Sequence, residues 1–192
     1  MNLYSNATNW NHVPGLKSAM STVIGHTSLN AKEYAVILSP NGTPLREYQG
    51  DEHHVELDNL VARNVIVHSH PQPSPLSPDD IFLATVHEAT IFAIGTDESI
   101  YASKGWNRLK TRPSEMQEVG NILRNRTFAS IDLGMDELTA NIAVQHLTLL
   151  EFAKLGKLDY HYTLGKVASK ALADFSTVVR AHGLAHIFGG LV

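Results

Sequence analysis

Apolar positions change their spacing along the chain, and that change divides it into two textures. In residues 13–26, Leu16, Met20, Val23 and Ile24 recur at helical intervals, which predicts a short amphipathic helix. Tyr34 to Leu38 is a compact apolar run that ends in Ser39-Pro40-Asn41-Gly42. Asn-Gly is the strongest short hairpin signal because both residues tolerate positive φ, so Pro44 to Tyr48 is expected to return as the partner strand. Val55 to Leu60 reads as another short strand or a turn, and Asn64 to His68 is a β-branched run of the kind found in buried strands. Three prolines between Pro71 and Leu76 then forbid regular pairing. Ser77-Pro78-Asp79-Asp80 is a helix start: serine suits the N-cap, proline the first helical position, and the acidic pair the positive end of the dipole. That helix is expected to reach His87 or Glu88, and Ile91–Ile94 with Ser99–Ala102 read as a second hairpin.

Beyond about residue 113 the pattern turns helical. Leu138, Ile142, Leu149 and Ala153 share one face of a long helix that stops near Gly156, and Val167, Ala171, Phe175 and Val178 mark another, capped near Gly183. The expected fold class is α/β (α+β): a mixed β-sheet core flanked by helices over residues 1–112, with a C-terminal helical extension over residues 113–192 packed on it.

Composition narrows the function classes. The 192 residues are 43% apolar and 18% charged, which excludes a disordered chain and allows a real core. Fifteen Lys and Arg against nineteen Asp and Glu leave a formal charge of -4, so direct nucleic-acid binding and attraction to an anionic membrane find no global electrostatic support. Cysteine is absent, which excludes disulfides, a thiolate zinc site and a cysteine nucleophile. The first ten residues lack the basic start and apolar run of a signal peptide, and no apolar stretch is long enough to span a bilayer, so a cytoplasmic location without membrane contact is expected. Eleven histidines are the oddity, and they direct the search toward metal or acid-base chemistry.

The informative segment runs from Val67 to Asp80. Alternate strand residues point to one side, so His68 and His70 project together from the strand's C-terminal end. The helix beginning at Ser77 returns Asp80, in its first turn, to the same neighbourhood. Two imidazoles and a carboxylate leave a tetrahedral Zn²⁺ one open position for water, the catalytic arrangement. The competing reading is that the histidines merely end a strand while Ser77 and Asp80 form a capping box.

His68-Ser69-His70-Pro71 followed by Ser77-Pro78-Asp79-Asp80 resembles the H-x-H…S-x-x-D signature of the JAMM (MPN/JAB-type) zinc metalloproteases, over about residues 14–105. The resemblance implies a JAMM-like fold and a hydrolase in which His68, His70 and Asp80 are metal ligands, with Zn²⁺ as cofactor. It further implies that Ser77 helps stabilise the oxyanion and that a glutamate on an upstream strand works with the zinc-bound water. Glu33 is the best match for that glutamate, although a solvated residue at a strand entrance is an equal reading of it. Asp79 is a less well-spaced alternative to Asp80. The usual gap between the second histidine and the serine is seven residues, whereas Pro71 to Leu76 supplies six, and no long insertion follows. The short form is closer to bacterial and phage members, and to RadC-like proteins, than to eukaryotic deubiquitinating ones.

The function so implied is a zinc-dependent metallopeptidase or isopeptidase that hydrolyses a peptide or isopeptide bond in a protein or peptide substrate, ubiquitin-like proteins included. The alternative is a non-catalytic JAMM-fold binding or scaffold module, RadC-like or phage-associated. The remaining candidates have bland readings: Glu52-His53-His54 as a solvated turn, with lining of the cleft as its alternative, His182 and His186 as ordinary, and His87, Glu88 and His146 as surface or interface residues. Trp10 and Trp106 read as packing anchors, Gly189-Gly190 as a frayed end, and the three N-x-[ST] sequons as chance. The apolar faces of the last two helices leave open core completion, a homodimer, or a partner protein.

Overall fold

A computed structural model describes residues 5–6, 13–52 and 54–184. Trp10, His53, His186 and the diglycine tail lie outside the described residues. In chain order the elements are α1 (Leu16–Asn30), β1 (Tyr34–Leu38), β2 (Pro44–Gln49), β3 (Val65–His70), α2 (Pro78–His87), β4 (Thr90–Gly95) and β5 (Ile100–Trp106). They are followed by α3 (Pro113–Asp132), α4 (Glu137–Lys154), β6 (Leu158–Thr163) and α5 (Lys166–Ala181). One six-stranded sheet has the order β2-β1-β3-β4-β5-β6. Every neighbouring pair is antiparallel except β3 with β4, which are parallel because α2 crosses over between them. The α/β class read from the pattern is therefore the observed one, a mixed sheet with helices on both faces.

The β1–β2 hairpin turns as its Asn-Gly signal predicts, but only Gly42 takes a positive φ, at 85°. Between Val55 and Leu60 no strand forms; a 3₁₀ turn over Asn59–Val61 is started by Asp58, whose side chain accepts from the Leu60 N–H. The strand alternation of β1, β3 and β4 sorts side chains into two cores. Val36, Leu38, Val67, Phe92 and Ile94 meet Leu16, Ala19 and Val23 of α1 on one face. Ile37, Ile66, Ile91 and Tyr101 meet α2 and α4 on the other, through Ile81, Ala84, Leu147 and Leu150.

The segment after residue 113 corrects the expectation of a helical extension packed on the core. Strand β6 lies within it and pairs with β5, so the segment completes the sheet rather than packing on a finished one. Its residues alternate, with Leu158, Tyr160 and Tyr162 buried, a period-two pattern only six residues long between two much longer helical ones. Asn6 borders β6: its side chain donates to the Tyr160 carbonyl (3.0 Å) and accepts from the Tyr162 N–H (2.8 Å), so this sequon's amide is engaged in the fold. The apolar face of α5 buries Leu172, Phe175 and Val179 in the main core. Trp106 is buried edge-on against Phe152, a packing anchor as expected. No helix among the described residues is long and apolar enough to cross a membrane.

Candidate metal centre

β3 places the two histidines by alternation. His68 and His70 point to the α2 and α4 side, while Ser69 between them points to α1, where its hydroxyl accepts from the Tyr34 N–H (3.0 Å) and bonds Thr27. Both histidines are almost fully buried, at 2% and 6% exposure. The β1–β3 register sets Ala35 opposite His68. Glu33, two residues before Ala35, falls on the same side by alternation and lines the cleft with the histidines. Backbone bonds from Glu33 N to Asp51 O (2.7 Å) and from Gly50 N to Glu33 O (2.9 Å) hold it there.

The proline loop that follows is pinned carbonyl by carbonyl. Thr96 Oγ1 donates to Pro71 O (3.0 Å), Tyr101 OH to Pro73 O (3.2 Å) and Gln145 Nε2 to Leu76 O (2.8 Å). The Ser74 carbonyl accepts from His70 Nδ1 at 2.8 Å. Since a carbonyl only accepts, that bond fixes the proton on Nδ1 and leaves the Nε2 lone pair facing the cleft. The loop also runs close over Gly95, where an added Cβ would stand 2.9 Å from Pro73 Cα.

Helix α2 then begins with a capping box whose third residue is aspartate. Ser77 Oγ accepts from Asp80 N (3.1 Å), while Asp80 Oδ2 accepts from Ser77 N (2.7 Å) and from Ser77 Oγ (2.8 Å). The box aims the carboxylate at the histidines: His68 Nε2 is 3.4 Å from Oδ1, His70 Nε2 is 3.8 Å from Oδ2, and the two Nε2 atoms are 2.9 Å apart. Around a tetrahedral ion with bonds of about 2.0–2.1 Å, donors stand about 3.3–3.4 Å from one another. The observed separations bracket that value, and two neutral imidazoles plus a carboxylate suit zinc. The donor set therefore fits a metal ion. Among the described residues this is the one group of three such ligands, all within 4.8 Å.

Electrostatics follows from burial and charge pairing. Burial works to raise the Asp80 carboxyl, yet His68, His70 and the Ser77 N–H outweigh it and hold it well below the usual carboxylate range. Burial lowers His70 to about 4, with His68 adding to the effect, so its ring is neutral at pH 7. In His68 burial is overcome by Asp80, Glu33 and the Phe92 carbonyl, and its pKa is raised. Glu33 is raised by burial, with His68 opposing.

All five expected site residues, Glu33, His68, His70, Ser77 and Asp80, line one cleft of about 850 Å³. Asp79 is exposed at its edge, and Asp80 is the carboxylate at the histidines. Glu52 and His54 line the cleft as well as being solvated. Ser77 lines the cleft, and its hydroxyl is the N-cap of α2. His146 is a correction: it is fully buried, with Nδ1 3.0 Å from Tyr160 OH and its ring edge-on to Tyr162, not at a surface or interface. The loop-bracing residues Thr96, Tyr101 and Gln145 escaped the sequence reading; the last lies 69 residues from its partner, and no local pattern signals such a contact. Comparison with protein-family models, with curated proteins and with solved structures found no match.

Proposed function

We propose that the protein is a zinc-dependent metallopeptidase or isopeptidase of the JAMM type, acting on a peptide or isopeptide bond in a protein substrate. One observation carries the reading: His68, His70 and Asp80 converge within 4.8 Å in a cleft that Glu33 and Ser77 also line. A purely structural metal site needs neither an open cleft nor a basic carboxylate beside it. The resemblance of His68-Ser69-His70-Pro71…Ser77-Pro78-Asp79-Asp80 to the JAMM signature supports the same conclusion.

A zinc ion bound there supplies an acidified water and a Lewis acid for the scissile carbonyl. The chain's own residues do the rest. Glu33, made more basic by burial, takes up a proton at a carboxylate oxygen and delivers it to the leaving nitrogen. The Ser77 hydroxyl turns between Asp80 and the substrate's carbonyl oxygen, giving up one hydrogen bond as it makes the other. The Ser74 carbonyl holds His70 in its ligating tautomer, and the bonds that brace the loop keep that carbonyl in place.

The deciding measurement is metal content by mass spectrometry on untagged protein beside a His68→Ala/His70→Ala variant. Near one zinc per chain, lost in the variant, supports the hydrolase. A folded wild-type protein that holds no metal and refuses added zinc overturns it and leaves the binding-module reading.

A further inference from the structure

The cleft has a charge pattern that the hydrolytic chemistry alone does not require. Glu33, Glu52, Glu56, Asp79 and Asp80 all line it. The fifteen lysines and arginines all fall among the described residues, and none of them lines it. Their ion pairs run elsewhere, as in Arg46–Asp58, Arg63–Glu88, Arg126–Glu151 and Lys157–Glu115. A divalent ion on His68, His70 and Asp80 offsets two of the five carboxylates and leaves a lining charge of −3 with the imidazoles neutral. In a concave site such charges reinforce one another, because field lines are focused between walls of low dielectric.

The carboxylates sit beside apolar surface. Glu56 lies between Val55, buried, and Leu57, half-buried, and all three line the cleft. On α2, Leu83 follows Asp79 by one helical turn and lines it too. A wall that alternates carboxylate with aliphatic side chain matches the lysine or arginine side chain, an apolar stem with a cationic head. A phosphorylated peptide, a nucleic-acid strand or an acidic segment would bring negative charge into a carboxylate-lined cleft with no lysine or arginine to receive it.

We propose that this cleft selects peptide segments carrying lysine or arginine beside the bond to be cleaved, with Glu52, Glu56 and Asp79 as the residues that set the preference. The scissile bond in that statement rests on the hydrolase reading; the charge preference is measured without it. The test uses three octapeptides with one neutral dye, alike except for a central Lys-Lys, Gln-Gln or Glu-Glu pair. Binding to the zinc-loaded and to the chelator-treated full chain is followed by fluorescence anisotropy at low and at 0.3 M salt.

The Lys-Lys peptide is expected to bind about tenfold tighter than Gln-Gln, and Glu-Glu weakest, with the preference shrinking at high salt. Glu52→Gln with Glu56→Gln, and separately Asp79→Asn, are each expected to cut the preference about two- to fivefold, with zinc content unchanged. Equal binding of the three peptides, binding of none, or a preference that these variants leave intact overturns the proposal. A chain that holds no zinc yet prefers Lys-Lys supports the proposal while removing the hydrolase; a zinc-holding chain without preference does the reverse.

Discussion

Two groups of buried histidine occupy the same side of the sheet, and they differ in what surrounds them. His68 and His70 end β3 beside the Asp80 carboxylate and border a cleft of about 850 Å³. His146 sits on α4 among Tyr101, Tyr160 and Tyr162, with Tyr160 OH at 3.0 Å, and borders none of the described cavities. Burial alone therefore does not distinguish a ligand from a core histidine. A negative partner and a lone pair aimed at open space do. At His146 the tyrosine ring stack supplies an apolar body and a hydrogen-bond partner at once, which lets an imidazole replace a larger hydrophobe in the core.

The contrast breaks most visibly at the proposed ligands. Replacing His68 and His70 together by alanine is expected to take zinc from about one per chain to none and to abolish hydrolysis, read by metal analysis and by a cleavage assay. Glu33→Gln comes next: hydrolysis falls about 10²- to 10⁴-fold while zinc content holds, since the variant loses a proton acceptor and no ligand. A Glu33→Gln protein that cleaves at the wild-type rate removes glutamate from the chemistry. His146→Phe tests the other side of the comparison. It is expected to cost about 1–3 kcal/mol by stranding the Tyr160 hydroxyl, seen as a lower urea midpoint, with zinc per chain unchanged. Zinc loss in that variant would show that the two groups are one unit.

Smaller effects sharpen the comparison. Gln145→Ala frees the Leu76 carbonyl and is expected to loosen zinc about tenfold in a chelator competition, with a stability change of about 1 kcal/mol. The pH dependence of the metal-stripped chain separates the two cleft histidines. His70 is lowered to about 4 in the fold against an ordinary 6.5, so between those values the unfolded chain binds more protons and stability falls as pH drops. His68 is raised, so its contribution is present below 6.5 and is lost as pH rises through its folded value. Urea titrations of a His70→Gln variant are expected to lose the first slope and keep the second.

Legibility in the sequence followed the range of each interaction. Ser77, Pro78 and Asp80 specify a helix start within four residues, and α2 begins where those signals place it. The same local chemistry aims Asp80, because the capping box that starts the helix also orients its carboxylate. Glu33 was undecided as long as only its neighbours were considered; the fold brings it into the cleft of histidines more than thirty residues away. β6 was missed for a related reason. Its alternation is present in Leu158, Tyr160 and Tyr162, but six residues between two long helices compete poorly as a pattern until β5 offers an edge to pair with.

The sequence by itself determined what depends on spacing and residue chemistry: the β-branched strand that ends in two same-side histidines, the proline-stiffened loop, the capped helix and the α/β class. Only the tertiary structure decided that Glu33 lines the histidines' cleft, that His146 is sealed in the core, and that α4 and β5 brace the loop of the cleft. The physical reason is one of distance along the chain. Caps and alternation are settled by dihedral preferences within a few residues, whereas a hydrogen bond from Gln145 to Leu76 exists only after the sheet and helices have closed around one core.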